Sequence, residues 1–357
     1  DLNREFKASK LRATVKEGKV ICAGREYKVR EANVDARRES ATCLLCNAQI
    51  DHRVLDEKIV KLEKRKGEWY VKNTLREWNK NLEKFLKGKI TLQQLLNSSA
   101  KPTFLVKAKM SNKDLEFEPA LQEDVEKMWR ALERLKEMWG DPDVPTESFA
   151  TYQMGTAGAF RITLWGFDRL YKLFNPRQLL TLIKLVKLIR EAGKMVEEEK
   201  LKEGWSRGEA FKYAETVTTY LAIVLCKYAD YSSLVAGWNQ SLIMGHSLSM
   251  RGIAMMWNWD DMTPWASWTG TYLRNLNTLI GALSYLISAV SGSSSRVRVL
   301  LDDASVLSKL GDEKFDAVVT DPPYSDDVPY TELSDFYYCL LYTSPSPRDL
   351  STSRMPS

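Results

Sequence analysis

Apolar and charged residues alternate from Leu11 to Glu31 around Gly18 and Gly24, a period of two that predicts short antiparallel strands. Lys101–Met110 reads as another strand. Between Pro119 and Trp139 the period lengthens. Val125, Met128, Trp129, Leu132, Leu135, Met138 and Trp139 recur at helical spacing and predict one amphipathic helix. The turn residues of Asp141-Pro142-Asp143-Val144-Pro145 mark a boundary. Beyond it, 146–290 is mostly helical. Asn175 can cap a helix, Pro176 suits its first position and Gln178 can reach back. The stripe Leu179, Leu180, Ile183, Leu185, Val186, Ile189 comes next, and a second helix covers about Gly208–Tyr231. After the short linker Ser291–Ser295 the pattern turns to α/β: strand Arg296–Leu301, a short helix near Ser305–Leu310, strand Phe315–Thr320, then a loop. No tandem repeat is visible.

Composition narrows the class. The 357 residues are 44% hydrophobic and 28% charged, with too few Gly and Pro for a disordered or collagen-like chain. That length suggests two or three domains, each with enough material for a core. No apolar run approaches a membrane span; the longest, such as Tyr220–Cys226, are short and flanked by charge. Five Cys is an odd, sparse number for a disulfide scaffold, and no signal peptide is recognisable. These features predict a soluble protein of a reducing compartment, the cytoplasm. The net charge of +5 fits a nucleic-acid partner without demanding one. Asp51–Lys89, with twelve Lys/Arg against seven Asp/Glu, has the same excess of five.

The strongest chemical signal is Asp321-Pro322-Pro323-Tyr324, directly after the apolar segment Phe315–Thr320. In open α/β sheets ligands bind beyond the carboxyl ends of strands, so this loop is well placed. An exocyclic base amine is a poor nucleophile because its lone pair is delocalised into the ring. Two acceptors on its N–H groups hold the nitrogen closer to tetrahedral and aim the lone pair at a methyl donor. The Asp321 carboxylate and the Pro322 carbonyl are such acceptors. Proline brings no competing N–H and keeps the preceding Asp extended. Tyr324 offers a face for an extruded base, worth about 1–3 kcal/mol in stacking. A rigid Pro-Pro loop closing a strand is the alternative reading. By chance this tetrapeptide arises in roughly one chain in a thousand of this size, and the strand-like segment before it favours the functional reading.

The stretch from Asp321 through Tyr324 to Asp335-Phe336-Tyr337-Tyr338 resembles the large adenine-specific DNA methylases that carry a zinc ribbon. The likeness extends upstream through Asn175-Pro176-Arg177-Gln178-Leu179-Leu180, Tyr220, Ala229-Asp230-Tyr231, Trp238 and Met256–Pro264, and covers about Phe104–Tyr338. It implies transfer of a methyl group from S-adenosylmethionine to adenine N6 in double-stranded DNA, with cytosine N4 next. It also implies a role in DNA modification linked to restriction or phage defence and to partner proteins of such a system. Asp303 and Asp302, which end the strand Arg296–Leu301, match the carboxylate that accepts from the adenine amine of S-adenosylmethionine; capping of the next helix is the alternative. Asp303-Ala304-Ser305 fits the family spacing better than Asp302. The family's Gly-rich cofactor loop is not visible. Met154–Gly158 is the nearest candidate but lacks a preceding strand, so the loop is expected before Asp1. A catalytically silent DNA-binding or interaction module, and an enzyme acting on RNA, are the competing functional readings.

Cys43-Leu44-Leu45-Cys46 is half of a zinc ribbon, since a tetrahedral site needs four ligands, and the resemblance implies that another Cys pair lies upstream. Cys22 and His52 are the nearby extra candidates; each also reads as an ordinary residue, as do Cys226 and His246. Lys64, Arg65 and Lys66, interleaved with Trp69, Tyr70 and Trp78, suit phosphate contact and base stacking. A solvated charged helix pair with aromatic core contacts is the favoured reading for any single one of them. The tryptophans 257, 259, 265 and 268 read as packing residues. Cys339–Asp349 and Ser353–Ser357 resemble the translation of a transposase-type sequencing adapter, so the natural sequence is expected to end near Tyr338, with a tail that packs on nothing. The expected fold is α/β: a partial Rossmann-like methyltransferase sheet at 292–338, preceded by a mostly helical insert and a small β-rich zinc-ribbon remnant at 1–50. The insert divides into a charged part at 51–140 and a mainly helical part at 141–291, and 339–357 is set aside. Without the Gly-rich loop, this chain alone is expected to be inactive.

Overall fold

The computed structural model describes the backbone of short strands between residues 13 and 51, and residues 70–98, 100–111, 114–148, 161–237, 245–247, 253, 256, 259–293, 297–321 and 336–337. Strands β1 (Ala13–Lys16), β2 (Lys19–Cys22) and β3 (Arg25–Lys28) pair antiparallel in sequence order. Val15 lies opposite Val20, and Val20 opposite Tyr27. β4 (Val34–Asp35), β5 (Ser40–Thr42) and β6 (Gln49–Asp51) form a second antiparallel sheet. The alternating pattern thus forms the strands it implied.

Helices make up most of the rest. α1 (Tyr70–Leu86) buries Leu75, Trp78, Leu82, Phe85 and Leu86, spaced by three and four residues so that they share one face. α2 (Leu92–Leu96) opens on a capping box: Thr91 Oγ1 accepts from Gln94 N at 3.2 Å and Gln94 Oε1 from Thr91 N at 2.8 Å. The strand expected at Lys101–Met110 begins later, as β7 (Val106–Ser111), in a hairpin with β8 (Asp114–Pro119). α3 (Gln122–Glu137) buries Met128, Ala131, Leu132 and Leu135, and Trp129 packs at 6.3 Å on Trp78 of α1. The stretch expected as a boundary is tied to the chain beyond it. Asp141 pairs with Lys187 at 2.7 Å, Asp143 pairs with Arg190, and Val144 joins the core shared by both sides.

α4 (Pro176–Lys202) and α5 (Arg207–Tyr231) form an antiparallel hairpin. Ser206 opens α5 with a capping box to Glu209. At the tip, the Lys200 ammonium lies 5.3 Å over the Trp205 ring and 5.1 Å over Tyr213. Ala210, Ala214, Thr218 and Ala222, each four residues after the last, make a small-residue seam on α5. On α4, Gly193 meets that seam so closely that a Cβ there would stand 2.6 Å from Thr218 Cγ2. α6 (Tyr272–Val290) is capped by Thr271 and buries none of its residues; Tyr272 meets Tyr228 of α5 edge-on at 6.4 Å. No helix among the described residues is long and apolar enough to cross a membrane.

The fold is therefore mostly helical with small antiparallel sheets, and the α/β pattern of 297–321 takes a different form from the one expected. Among its residues none belongs to a strand, and the short helix near Ser305–Leu310 is a run of turns. Val297, Val299, Leu301, Val318 and Val319 are 77% to 95% exposed. A strand of a parallel sheet takes its hydrogen bonds and its burial from neighbours. No described strand pairs with either segment, so the pattern alone does not make strands of them.

The seam gives a test. Gly193→Ala should cost about 1–3 kcal/mol in chemical denaturation, because the new methyl overlaps Thr218. Adding Thr218→Ser removes the opposing methyl. The double variant should then recover that loss and gain up to about 1 kcal/mol from alanine's helix preference.

Candidate functional site

The polar residues concentrate at the base of the hairpin, where α4 begins and α5 ends. Asn175 is fully buried. Its Oδ1 accepts from the amides of Arg177 and Gln178 at 2.8 and 3.0 Å, and its Nδ2 donates to Asp261 Oδ2 at 3.2 Å. Gln178 returns the cap by accepting from Asn175 N at 2.9 Å. Its Nε2 donates to the Asp260 carbonyl and to Ser232 Oγ, which joins the start of α4 to the end of α5. Arg177 Nε pairs with Asp261 Oδ2 at 3.1 Å while its guanidinium lies 4.9 Å over Phe104, itself 5.5 Å from Trp259.

Two adjacent carboxyls therefore meet different surroundings. Burial pushes Asp261 up, and Arg177 and Asn175 oppose that push. Asp260 has no such partner: its Oδ2 is buried with no hydrogen bond among the described residues. Burial, and then the neighbouring Asp261 charge, push Asp260 up to about 7.

A second cluster closes the end of α5. Asp230 Oδ2 is held by His246 Nδ1 at 2.7 Å and by Lys227 Nζ at 3.2 Å. His246 Nε2 meets the Tyr231 hydroxyl at 3.0 Å. Ser247 N and Oγ both donate to the Asp230 carbonyl, at 2.8 and 2.7 Å. Asp230 Oδ1 is buried with no partner among the described residues. Nearby, burial pushes the Cys226 thiol up to about 12, so it is an unreactive neutral group at neutral pH.

The chain beyond Asp321 also comes to this base. Phe336 is fully buried and stacks on Phe174, the residue before the Asn175 cap, at 6.4 Å and 28°. Tyr337 meets Phe336 edge-on at 5.3 Å. Its phenol is pushed up by burial and then by Asp230, Cys226 and Tyr231.

Of the tetrapeptide, Asp321 is exposed at the end of 297–321, and Pro322, Pro323 and Tyr324 lie outside the described residues. Asp302 and Asp303 are engaged in local turns. Asp302 accepts from Ser308 Oγ at 2.8 Å and Lys309 N at 2.5 Å; Asp303 Oδ1 accepts from Ser305 N at 2.8 Å and Ser305 Oγ at 2.6 Å. These bonds hold both carboxyls below the usual range. Lys64, Arg65, Lys66, Cys43, Cys46, His52 and the tail from 339 lie outside the described residues, and Cys22 is described only in its backbone, in β2. The strands on either side of the Cys pair, β5 and β6, run antiparallel with Thr42 opposite Gln49. Among the described residues no cluster of three or more His, Cys, Asp or Glu could hold a metal.

Trp78 is core, 4% exposed, in keeping with the core-contact reading of the aromatic residues rather than base stacking. Trp265 is 74% exposed rather than packed. His246 has partners that no local motif announces, because Asp230 lies sixteen residues earlier and the two meet only through the path of the chain after α5. The pairing of Asn175 with Asp261 spans eighty-six residues and is equally invisible in either segment alone. Comparison with protein-family models, with curated proteins and with solved structures finds no match.

Asp260 gives a pH test with a definite sign. Its folded value is raised, so its contribution is complete below its ordinary value of 3.8 and is lost as pH rises towards about 7. Through that window it should lower stability by up to about 1.4 kcal/mol per pH unit. Asp260→Asn removes this dependence. Relative to the native chain, the variant should gain stability between pH 5 and pH 7.5 and no further above it, as read by denaturant midpoints across that range.

Proposed function

We propose that this chain belongs to an S-adenosylmethionine-dependent DNA methyltransferase that modifies an exocyclic base amine, adenine N6 first and cytosine N4 next. The observation that carries this reading is Asp321-Pro322-Pro323-Tyr324 behind the apolar segment Phe315–Thr320. The upstream likeness from Asn175 to Pro264 adds to it. Asp321 is open to solvent, as a group that meets a substrate from outside must be. In this reading Arg296–Leu301 and Phe315–Thr320 are strands of a Rossmann-like sheet, and their exposed apolar side chains are the faces that neighbouring strands and helices cover.

The methyl donor, when bound, supplies an electrophilic sulfonium methyl. Asp303 and Asp302 fit its adenine amine: their oxygens are acceptors, and Asp303 Oδ2 retains acceptor capacity beyond its turn bonds. Cys43 and Cys46 supply two thiolates, short of the four ligands of a structural zinc, so they make half of such a site and no more. Asp321 and the Pro322 carbonyl each accept one N–H of the target amine. That leaves the nitrogen lone pair directed away from the ring plane. Tyr324 stacks on the extruded base. As the bond from nitrogen to the methyl carbon formed, the donor's sulfur–carbon bond would break and leave a neutral thioether; the cationic nitrogen would then release one proton to solvent, so no strong base is needed. Lys64, Arg65 and Lys66 hold phosphates of double-stranded DNA and contribute affinity rather than rate.

Methyl transfer to duplex DNA is the direct measurement, made with the reading frame extended through the source locus and with this chain alone. The extended protein should be active and this chain inactive. Asp321→Ala should abolish transfer and leave DNA affinity within a few-fold. Tyr324→Ala should lose less, a few kcal/mol in activation free energy at most, with Phe or Trp restoring much of it. DNA binding with no transfer to any base would favour the silent binding module. A separate triple variant, Lys64→Ala with Arg65→Ala and Lys66→Ala, should weaken DNA binding and flatten its salt dependence; an unchanged salt slope would remove these residues from the interface.

A further inference from the structure

Among the described α-helices, α6 alone buries none of its residues, though most of them are apolar. Leu273, Leu276, Ile280, Leu283, Ile287 and Val290 fall alternately three and four residues apart. That is the a and d spacing of a heptad, and it lines the six up along one face. α5 lies beside the start of α6, where Tyr228 meets Tyr272, and Leu276 and Leu283 are half-buried. Leu273, Ile280, Ile287 and Val290 are 39% to 65% exposed. The largest apolar patch of an ordinary soluble monomer covers roughly 300–600 Å², and larger patches mark places of association. A seam that runs the length of a nineteen-residue helix is of that size. No Asp, Glu, Lys or Arg stands between Arg274 and Arg296.

We propose that α6 is a self-association surface on which a second copy of this chain docks, seam against seam. Knobs at a and d spacing need holes of the same spacing, and a second α6 supplies them. In an isologous pair each copy presents the same surface, so the match is built in. Charge points the same way. Two copies of a chain with a net charge of +5 repel wherever that charge meets itself, and the seam carries none of it. For the same reason it offers no complement to a nucleic acid or to a charged peptide. A helix that lies on a membrane carries Lys or Arg along its polar face. Here that face holds Asn277, Gly281, Ser284 and Ser288 instead. A contact along one helix buries less than the roughly 800 Å² that each partner gives to a standard interface, so the dimer is weak, with a Kd on the order of micromolar. The pairing requires nothing of the methyltransferase reading.

Sedimentation equilibrium of this chain, from well below to well above that concentration, should show the mass rise from one copy to two. Ile280→Glu combined with Ile287→Glu puts four carboxylates into the seam of a pair and should weaken association at least about a hundredfold. Both side chains are more than half exposed, so the variant should keep the circular dichroism and the unfolding midpoint of the dilute native chain. Should it lose them, Ile287→Ser, in the last turn of the helix, should still weaken pairing about tenfold. Thr278→Glu, on the opposite face, should leave the Kd within about twofold. A chain that stays monomeric, that aggregates without limit, or whose dimer survives the seam variants would overturn the proposal. So would a monomer that co-sediments with phosphatidylcholine vesicles, which would assign the seam to a lipid surface.

Discussion

The buried side chain of Asn175 is the interaction on which the hairpin base depends. One amide group caps α4 through two backbone N–H groups and anchors Asp261 through its nitrogen. Asp261 in turn holds Arg177, and Arg177 covers Phe104. An uncapped helix start in this setting would leave N–H groups without water or partner, a cost of about 1–3 kcal/mol for each buried group. The cap therefore does more than begin a helix. It fixes the loop that carries Asp260 and Asp261 against the start of α4, and Gln178 extends that fixation to Ser232 at the end of α5.

The seam above the base obeys a different rule. Alanines at four-residue spacing and one glycine let α4 and α5 approach closely where Gly193 meets Thr218. The large side chains gather lower down, where Tyr171, Tyr228, Phe167 and Phe336 are nearly or fully buried. Close backbone approach makes the upper hairpin intolerant of added volume, while most polar groups of the base are paired, and burial pushes Asp260 towards its neutral form. Shape specifies the arm; polar satisfaction specifies its foot.

The two regimes also differ in their polar groups. The arm is covered with charged and polar residues, of which Lys187 and Arg190 pair with Asp141 and Asp143. The foot gathers two carboxylate clusters and receives the chain that comes back from Asp321-Pro322-Pro323-Tyr324. Hydrogen bonds from Asn175 and Gln178 join the foot's segments to one another.

Much of the helical part was legible in the sequence. The cap at Asn175, the stripe of Leu179, Ile183, Val186 and Ile189, and the face of Met128, Leu132 and Leu135 are local signals, because a helix satisfies its own backbone and needs only a period and an end. Tertiary structure decided the rest. Asp230 with His246, Asn175 with Asp261 and Phe174 with Phe336 are partners only after distant segments meet, and no spacing rule links them. The same distinction explains 297–321. Its apolar residues make a strand's pattern, but a strand takes its hydrogen bonds from another strand, and among the described residues no strand stands beside this segment to pair with it.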